Sequence, residues 1–304
     1  MEKNKKRQSN QRFIIGMLAW PLFHFVFFTV FINSMTLVMS FFRYSPMGDE
    51  IWYGFGNYVG IVNSIATGGN IGNALINSLS FLPLNLCIIL PLSVFFAYFM
   101  YKKIWLYKTF RVIYFLPSII CIVVLIMMFR YMFDDVFGLV TNLLRSLGLE
   151  GLIPQGGFFG TRVSSYAMLW LYSLWGGLGH QLVIIQGSML RIPKSVIESG
   201  KLDGVGIWRE FFQIVIPLIF ANIATLILFA CMGVFNIFIQ PQLMFGTGED
   251  KATLALLVVM QTKGGNQNAQ AGAAALGMML TIVASPLMIL LRKFLNKITP
   301  DVEY

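Results

Sequence analysis

Residues 217–239 read PLIFANIATLILFACMGVFNIFI, a stretch without a single Lys, Arg, Asp or Glu. A helix needs about 20 predominantly apolar residues to cross about 30 Å of hydrocarbon, and this one is long enough. Five further blocks of the same kind lie along the chain, at Phe13–Phe42, Leu79–Tyr101, Val112–Phe129, Tyr166–Gly187 and Ala271–Leu291. None of the six contains an ionisable acid or base of those four types. A charge at the bilayer centre costs at least about 2.5–3.5 kcal/mol, so their exclusion from every block supports the placement. The fold class expected is an all-α integral membrane protein with six transmembrane helices. The first block is too long for the apolar core of a cleaved signal peptide, which spans about 7–15 residues.

Composition agrees. Hydrophobic residues make up 57% of the 304 residues and charged residues 12%, against about 25% charged in soluble domains. The net charge of +9 does not indicate nucleic acid as a partner, because the bases form short clusters at the ends of apolar blocks. Such clusters orient a membrane protein. With a cytoplasmic N-terminus, the inside segments hold Lys3, Lys5, Lys6, Arg7, Arg12, Lys102, Lys103, Lys108, Arg111, Arg191, Lys194, Lys201, Arg209, Arg292, Lys293 and Lys297. Only Arg43, Arg130, Arg145, Arg162, Lys251 and Lys263 remain outside. Both termini are therefore expected to be cytoplasmic. The chain divides into a basic N-terminus at 1–12, a six-helix domain at 13–291 and a cytoplasmic C-terminus at 292–304.

Cys87, Cys121 and Cys231 each stand alone inside an apolar block, a spacing of neither a metal site nor a disulfide framework, and are expected to be small buried side chains. His24 and His180 are expected to pack as polar side chains within spans, and Asp134 and Asp135 to be solvated. No G-x-x-x-x-G-K-[ST] phosphate cradle and no catalytic or metal-ligating constellation occurs, so no cofactor is expected. Pro83, Pro91 and Pro117 interrupt helical hydrogen bonding, and Gly176, Gly177 and Gly179 allow close helix approach.

The most informative loop is Arg191–Pro217, RIPKSVIESGKLDGVGIWREFFQIVIP. Pro193 suits a first helical turn, a short helix is expected to end near Leu202, and Gly204 can supply the left-handed turn that closes it. A second short helix with Trp208, Phe211, Phe212 and Val215 on one stripe is expected to lead into Pro217. This loop, 191–217, resembles the coupling loop of the carbohydrate-type permease subunits of binding-protein-dependent ABC importers, the branch of the maltose and glycerol-phosphate permeases. Their pattern E-A-A-x-x-D-G-A, a Phe, then I-x-L-P, meets Glu198, Ser199, Gly200, Asp203, Gly204, Val205, Phe211, Ile214, Ile216 and Pro217 here. Ser199 and Gly200 replace the two alanines. Phe245-Gly246-Thr247-Gly248 stands where the family has a Gly-rich outward loop, degenerate in this chain.

The resemblance implies a non-catalytic pore subunit in a bacterial cytoplasmic membrane. Its partners would be a second six-helix permease, two ATP-binding subunits and an extracellular or periplasmic solute-binding protein. Glu198, Asp203, Gly204, Phe211 and Pro217 would couple to the ATPase. Sugars present apolar C–H faces and hydroxyl edges, so rings beside amides are the candidate pathway: Trp170, Tyr172, Trp175, Gln181, Asn222, Asn236 and Gln240. The alternative is a self-sufficient secondary carrier or channel, which would be expected to show internal repeats or an intramembrane charge. An intramembrane enzyme would need a catalytic set, and the sequence has none.

Overall fold

The computed structural model describes residues 2–45, 49–246 and 248–298, with side chains from Phe13 onward. The basic side chains of 1–12, Thr247 of the Gly-rich loop and residues 299–304 lie outside the described residues. The structure is almost wholly helical. Five helices are long and apolar enough to cross a membrane: Phe13–Met39, Asn70–Tyr101, Arg162–Met189, Ile207–Asn236 and Gln267–Ile298. The expected third span is a pair of helices, Tyr107–Ile119 and Ile122–Met132, bent by 105°, and a shorter apolar helix lies at Leu254–Lys263. Counted as one crossing, the bent pair makes six.

That bend corrects the expectation of a continuous span over Val112–Phe129. Ile120 and Cys121 are extended, with ψ of 141° and 130°. Pro117 lacks the N–H that would hold the preceding turn, and β-branched residues at 119, 120 and 122–124 are weak helix formers. The second span starts at Asn70, nine residues before the apolar block at Leu79. Its polar first turns could not be recognised by hydropathy. Cys87 and Cys121 are exposed and Cys231 is half-buried, contrary to the expectation of burial. A thiol is apolar enough for a helix face that meets lipid or another helix.

The chain forms two compact units, Met1–Asn63 with Gln261–Ile282, and Ser64–Met260 with Val283–Tyr304. In the first, no side chain of Phe13–Met39 is buried. The His24 ring rests on Phe28 at 4.7 Å. A two-stranded antiparallel hairpin, Phe42–Tyr44 with Glu50–Trp52, follows the helix. Asn268 acts as a surrogate strand beside it: its amide donates to the Tyr44 carbonyl and its oxygen accepts the Tyr44 N–H, each at 2.6 Å.

In the second unit the fourth span, Arg162–Met189, is central. It buries Leu169, Leu182, Ile185 and Met189 completely, against a core that includes Phe81, Ile89 and Ile219. Thr161 and Ser164 close a reciprocal capping box at its start, satisfying donors that a helix leaves open. Arg162 donates to Asn73 at 3.1 Å and to Asn77 at 3.2 and 2.7 Å, and Asn77 in turn donates to the Ala252 carbonyl at 2.8 Å. Lys251 donates to the carbonyls of Phe159 and Gly160, both at 3.0 Å. These bonds hold the segment around Glu249–Lys251 against the start of the fourth span.

Pro91 and Pro217 shape the second and fifth spans without breaking them. One wide π turn, Leu84–Ile89, lies just before Pro91, and another, Glu210–Val215, just before Pro217. A proline ring displaces the carbonyl four residues earlier, and a π turn lets the helix pass with one residue more. Asn85 donates to the Phe81 carbonyl at 2.9 Å and Ser93 to that of Ile89 at 2.8 Å, giving partners to carbonyls of the disturbed ladder.

Of the four glycines in the fourth span, Gly179 is the one that closes a tight approach. A Cβ there would lie 2.3 Å from Ser118 Oγ and 2.4 Å from the Tyr114 carbonyl oxygen, whereas at Gly177 nothing comes closer than 3.7 Å. Overpacking costs about 1–3 kcal/mol. Gly179→Val is therefore expected to lower the unfolding midpoint in detergent while Gly177→Ala leaves it near the parent's. Equal midpoints for both variants would mean the approach is not tight.

Candidate coupling surface and membrane cavity

The loop after the fourth span builds an exposed platform. Pro193 is extended, with ψ of 134°, and stands as the N-cap of the helix Lys194–Leu202, one position before the first turn in which it was expected. The helix ends on Asp203, and Gly204 follows at φ +71°. The Val205 N–H donates to the Gly200 carbonyl at 3.0 Å and the Gly204 N–H to that of Lys201 at 3.1 Å. This is the paired closure that a left-handed residue permits at a helix end. Ile197 and Gly200 face inward, and a Cβ at Gly200 would approach Ile214 Cδ1 to 3.0 Å. The glycine at a family alanine position thus matches a close contact.

The expected second short helix is not separate. Ile207–Arg209 runs through the π turn into the fifth span. The expected stripe divides as well: Phe211 and Val215 are buried, Trp208 and Phe212 exposed. The Phe211 ring packs on Tyr98 at 4.8 Å, and the Trp208 ring stacks on Phe95 at 6.0 Å. Glu198, Asp203, Gly204 and Pro217 are exposed. Beside them Leu202 is 90% exposed and Ile207 60%. Sequence reasoning passed over these two; their signal was an aliphatic side chain at each end of a Gly-containing turn. Acids interleaved with bare apolar side chains form a surface suited to a protein partner.

The second feature is a cavity of about 500 Å³ between the second, third, fourth and fifth spans. Of the pathway candidates, Tyr172, Gln181 and Gln240 line it. Trp170, Trp175 and Asn236 do not line it: Trp175 stacks on Phe129 at 6.2 Å, Asn236 donates to the Met232 carbonyl at 3.2 Å, and Trp170 lies on an exposed face. Asn222 is also outside the lining. Asn85, Ser118, Ser173 and His180 complete the polar wall; Ser118 lies just before the bend at Ile120–Cys121, and residue type alone does not single out the other three. His180 is exposed to this space rather than packed. Gln181 Oε1 is buried without a hydrogen-bond partner. Among the described residues no Lys, Arg, Asp or Glu lines the cavity, and no cluster of metal-ligating side chains is present.

Residues 89–300, which include the loop and most of the cavity wall, match the model of the binding-protein-dependent transport system inner membrane component. The chain belongs to that family. Its relatives include the probable ABC transporter permease protein YurN of Bacillus subtilis, 25% identical over 185 residues, 61% of this chain and 63% of the relative. The arabinooligosaccharides transport system permease protein AraP of Halalkalibacterium halodurans is 24% identical over 280 residues, 90% of this chain and 85% of the relative. The maltose/maltodextrin transport system permease protein MalF of Escherichia coli matches over 142 residues at 27%, covering 47% of this chain and only 27% of MalF. This inner membrane component thus spans less than two thirds of YurN and of MalF, and most of AraP. Its fold is that of a chain from the crystal structure of a bacterial ABC transporter that imports the acidic polysaccharide alginate, with a TM-score of 0.82 and 20% identity. The overlay covers 98% of this chain and 100% of that one.

A β-carbon added at Gly204 would meet nothing within 4 Å, so the demand there is purely on backbone conformation. A β-carbon in the left-handed region costs about 1–2 kcal/mol, roughly a tenfold change in an equilibrium. Gly204→Val is expected to speed amide hydrogen exchange at Val205 by about tenfold, with Gly204→Asn closer to the parent. Unchanged exchange in the valine variant would remove the left-handed turn as the closing element.

Proposed function

We propose that this inner membrane component forms half of the translocation pore of an ATP-driven importer for a neutral sugar or oligosaccharide. The observation that carries the reading is the cavity: aromatic, amide and hydroxyl groups with no acid or base of formal charge among the described lining residues. Amides and hydroxyls exchange hydrogen bonds with sugar hydroxyls, and rings cover the C–H faces. A carboxylated sugar would enter this space without a compensating cation, and burying an unpaired charge is costly. AraP and MalF are named for transport of arabinooligosaccharides and of maltose and maltodextrin, which agrees with a neutral cargo.

In this reading the Lys194–Gly204 platform docks on an ATP-binding subunit, and Glu198 pairs with a base there. A second six-helix permease, a pair of ATP-binding subunits and an external solute-binding protein complete the assembly. Both termini face the cytoplasm, as the distribution of bases implies. ATP shifts the pore only as far as the ATPase binds its two states differently.

Two experiments test this. Truncating one member of a desolvated charged pair costs about 2–5 kcal/mol, so Glu198→Ala is expected to weaken ATPase retention on co-purification by at least about tenfold. Glu150→Ala, exposed and elsewhere, is the control. Full retention by Glu198→Ala would refute the docking role. For orientation, Cys87, Cys121 and Cys231 are first replaced by serine. Single cysteines at Phe137 or Leu152 are then expected to react with an impermeant thiol reagent on intact cells, and cysteines at Trp105 or Lys108 only after lysis. The reverse pattern would overturn the topology.

A further inference from the structure

Glu210 is the one charged residue buried among the described residues, at 4% exposure. It forms an ion pair with Lys102, whose side chain is itself largely covered. The two residues belong to different spans. Lys102 caps the C-terminal end of the second span, after Tyr101. Glu210 opens the π turn that joins the Arg191–Pro217 loop to the fifth span. Around them the same two elements already hold together by other means. The Tyr98 hydroxyl donates to the Ile207 carbonyl at 3.1 Å, and the Tyr98 and Phe211 rings meet at 4.8 Å. Lys102 Nζ lies 5.6 Å from the Tyr98 ring centre.

A buried ion pair is a poor way to add stability, because desolvating both charges offsets much of their attraction and apolar residues of similar volume often hold as well. Its distinctive property is geometric: it fixes one partner at one register. The cavity gives that register a use. Phe81 and Asn85 of the second span form one part of its wall, and Leu226, Phe229 and Gly233 of the fifth form another. Both wall-forming helices are thus gripped at the same end, beside the loop. The fifth span is continuous with the loop and follows it directly. The second span has no covalent reason to follow.

We propose that the Lys102–Glu210 pair is a latch that makes the end of the second span move with the docking loop. A movement imposed on the loop then reaches two walls of the cavity together. Lys102 and Glu210 act as positioning residues and touch no cargo. The inference rests on the reading of Arg191–Pro217 as the ATPase-docking loop.

The test uses the whole assembly, captured through a tag on this chain, in a background with the three native cysteines replaced by serine. Spin labels are placed at Trp105, beyond the end of the second span, and at Ser195, on the loop helix; both positions are exposed. The distance between them is measured without nucleotide and after trapping with MgATP and vanadate. The parent is expected to give one narrow distance, the same in both states. Lys102→Met combined with Glu210→Gln removes both charges, so no unpaired charge is left buried to unfold the chain. That double variant is expected to keep the parent's thermal stability and ATPase retention, but to lose the single distance on trapping. Lys102→Arg preserves the pair and is expected to behave as the parent. A purely structural pair would instead leave the distance in the double variant narrow and unchanged by nucleotide. The latch is overturned if the neutral double variant keeps the parent's narrow distance in both states, or if Lys102→Arg loses it. If no ATPase accompanies the parent chain, the docking reading fails and the latch with it. If the ATPase is retained and only the distances disagree, the latch alone fails.

Discussion

In hydrocarbon no water is available to satisfy a backbone N–H or C=O, so every interruption of a helix must be repaired within the protein. The second unit depends on this constraint. Pro91 and Pro217 each follow a π turn that carries the helix past the missing hydrogen bond. Asn85 and Ser93 supply side-chain donors to carbonyls of the same span. At Ile120–Cys121 the chain abandons the helix for two residues, and there it borders the cavity rather than a packed face. Irregular backbone at membrane depth and the cavity are one feature seen from two sides.

Charge obeys the same constraint. Acids and bases stand at the ends of the apolar helices, where water or headgroups can solvate them. The polar side chains that line the cavity are neutral amides, hydroxyls and one imidazole. Glu210 departs from that rule and has a cation beside it. Arg162 sits in a shell of asparagine oxygens at the start of the fourth span, where the same demand is met by neutral acceptors.

The platform is built from little local sequence. Gly204 takes a left-handed conformation that other residues resist, and two hydrogen bonds close the helix around it. Gly200 lets Ile214 approach. The acids of the motif then lie outward beside exposed Leu202 and Trp208. Family membership and the structural likeness to the alginate importer chain agree with this arrangement of helices.

Hydropathy and charge alone specified an all-helical membrane chain with six apolar crossings, because the cost of burying charge in lipid acts on every residue independently of its neighbours. The turn at Gly204 was equally legible, since its conformation is a local property of one residue. The early start of the second span at Asn70, the 105° bend in the third and the fusion of the loop's second helix with the fifth span were not. Each depends on which helix packs beside the segment. The cavity divides along the same line. Tyr172, Gln181 and Gln240 could be named from residue type, while Trp170, Trp175 and Asn236 point elsewhere and Asn85, Ser118 and His180 join only in three dimensions. A helix has several faces, and residue type does not say which one meets the space. The Lys102–Glu210 pair lies 108 positions apart in sequence, and only tertiary packing could bring it together.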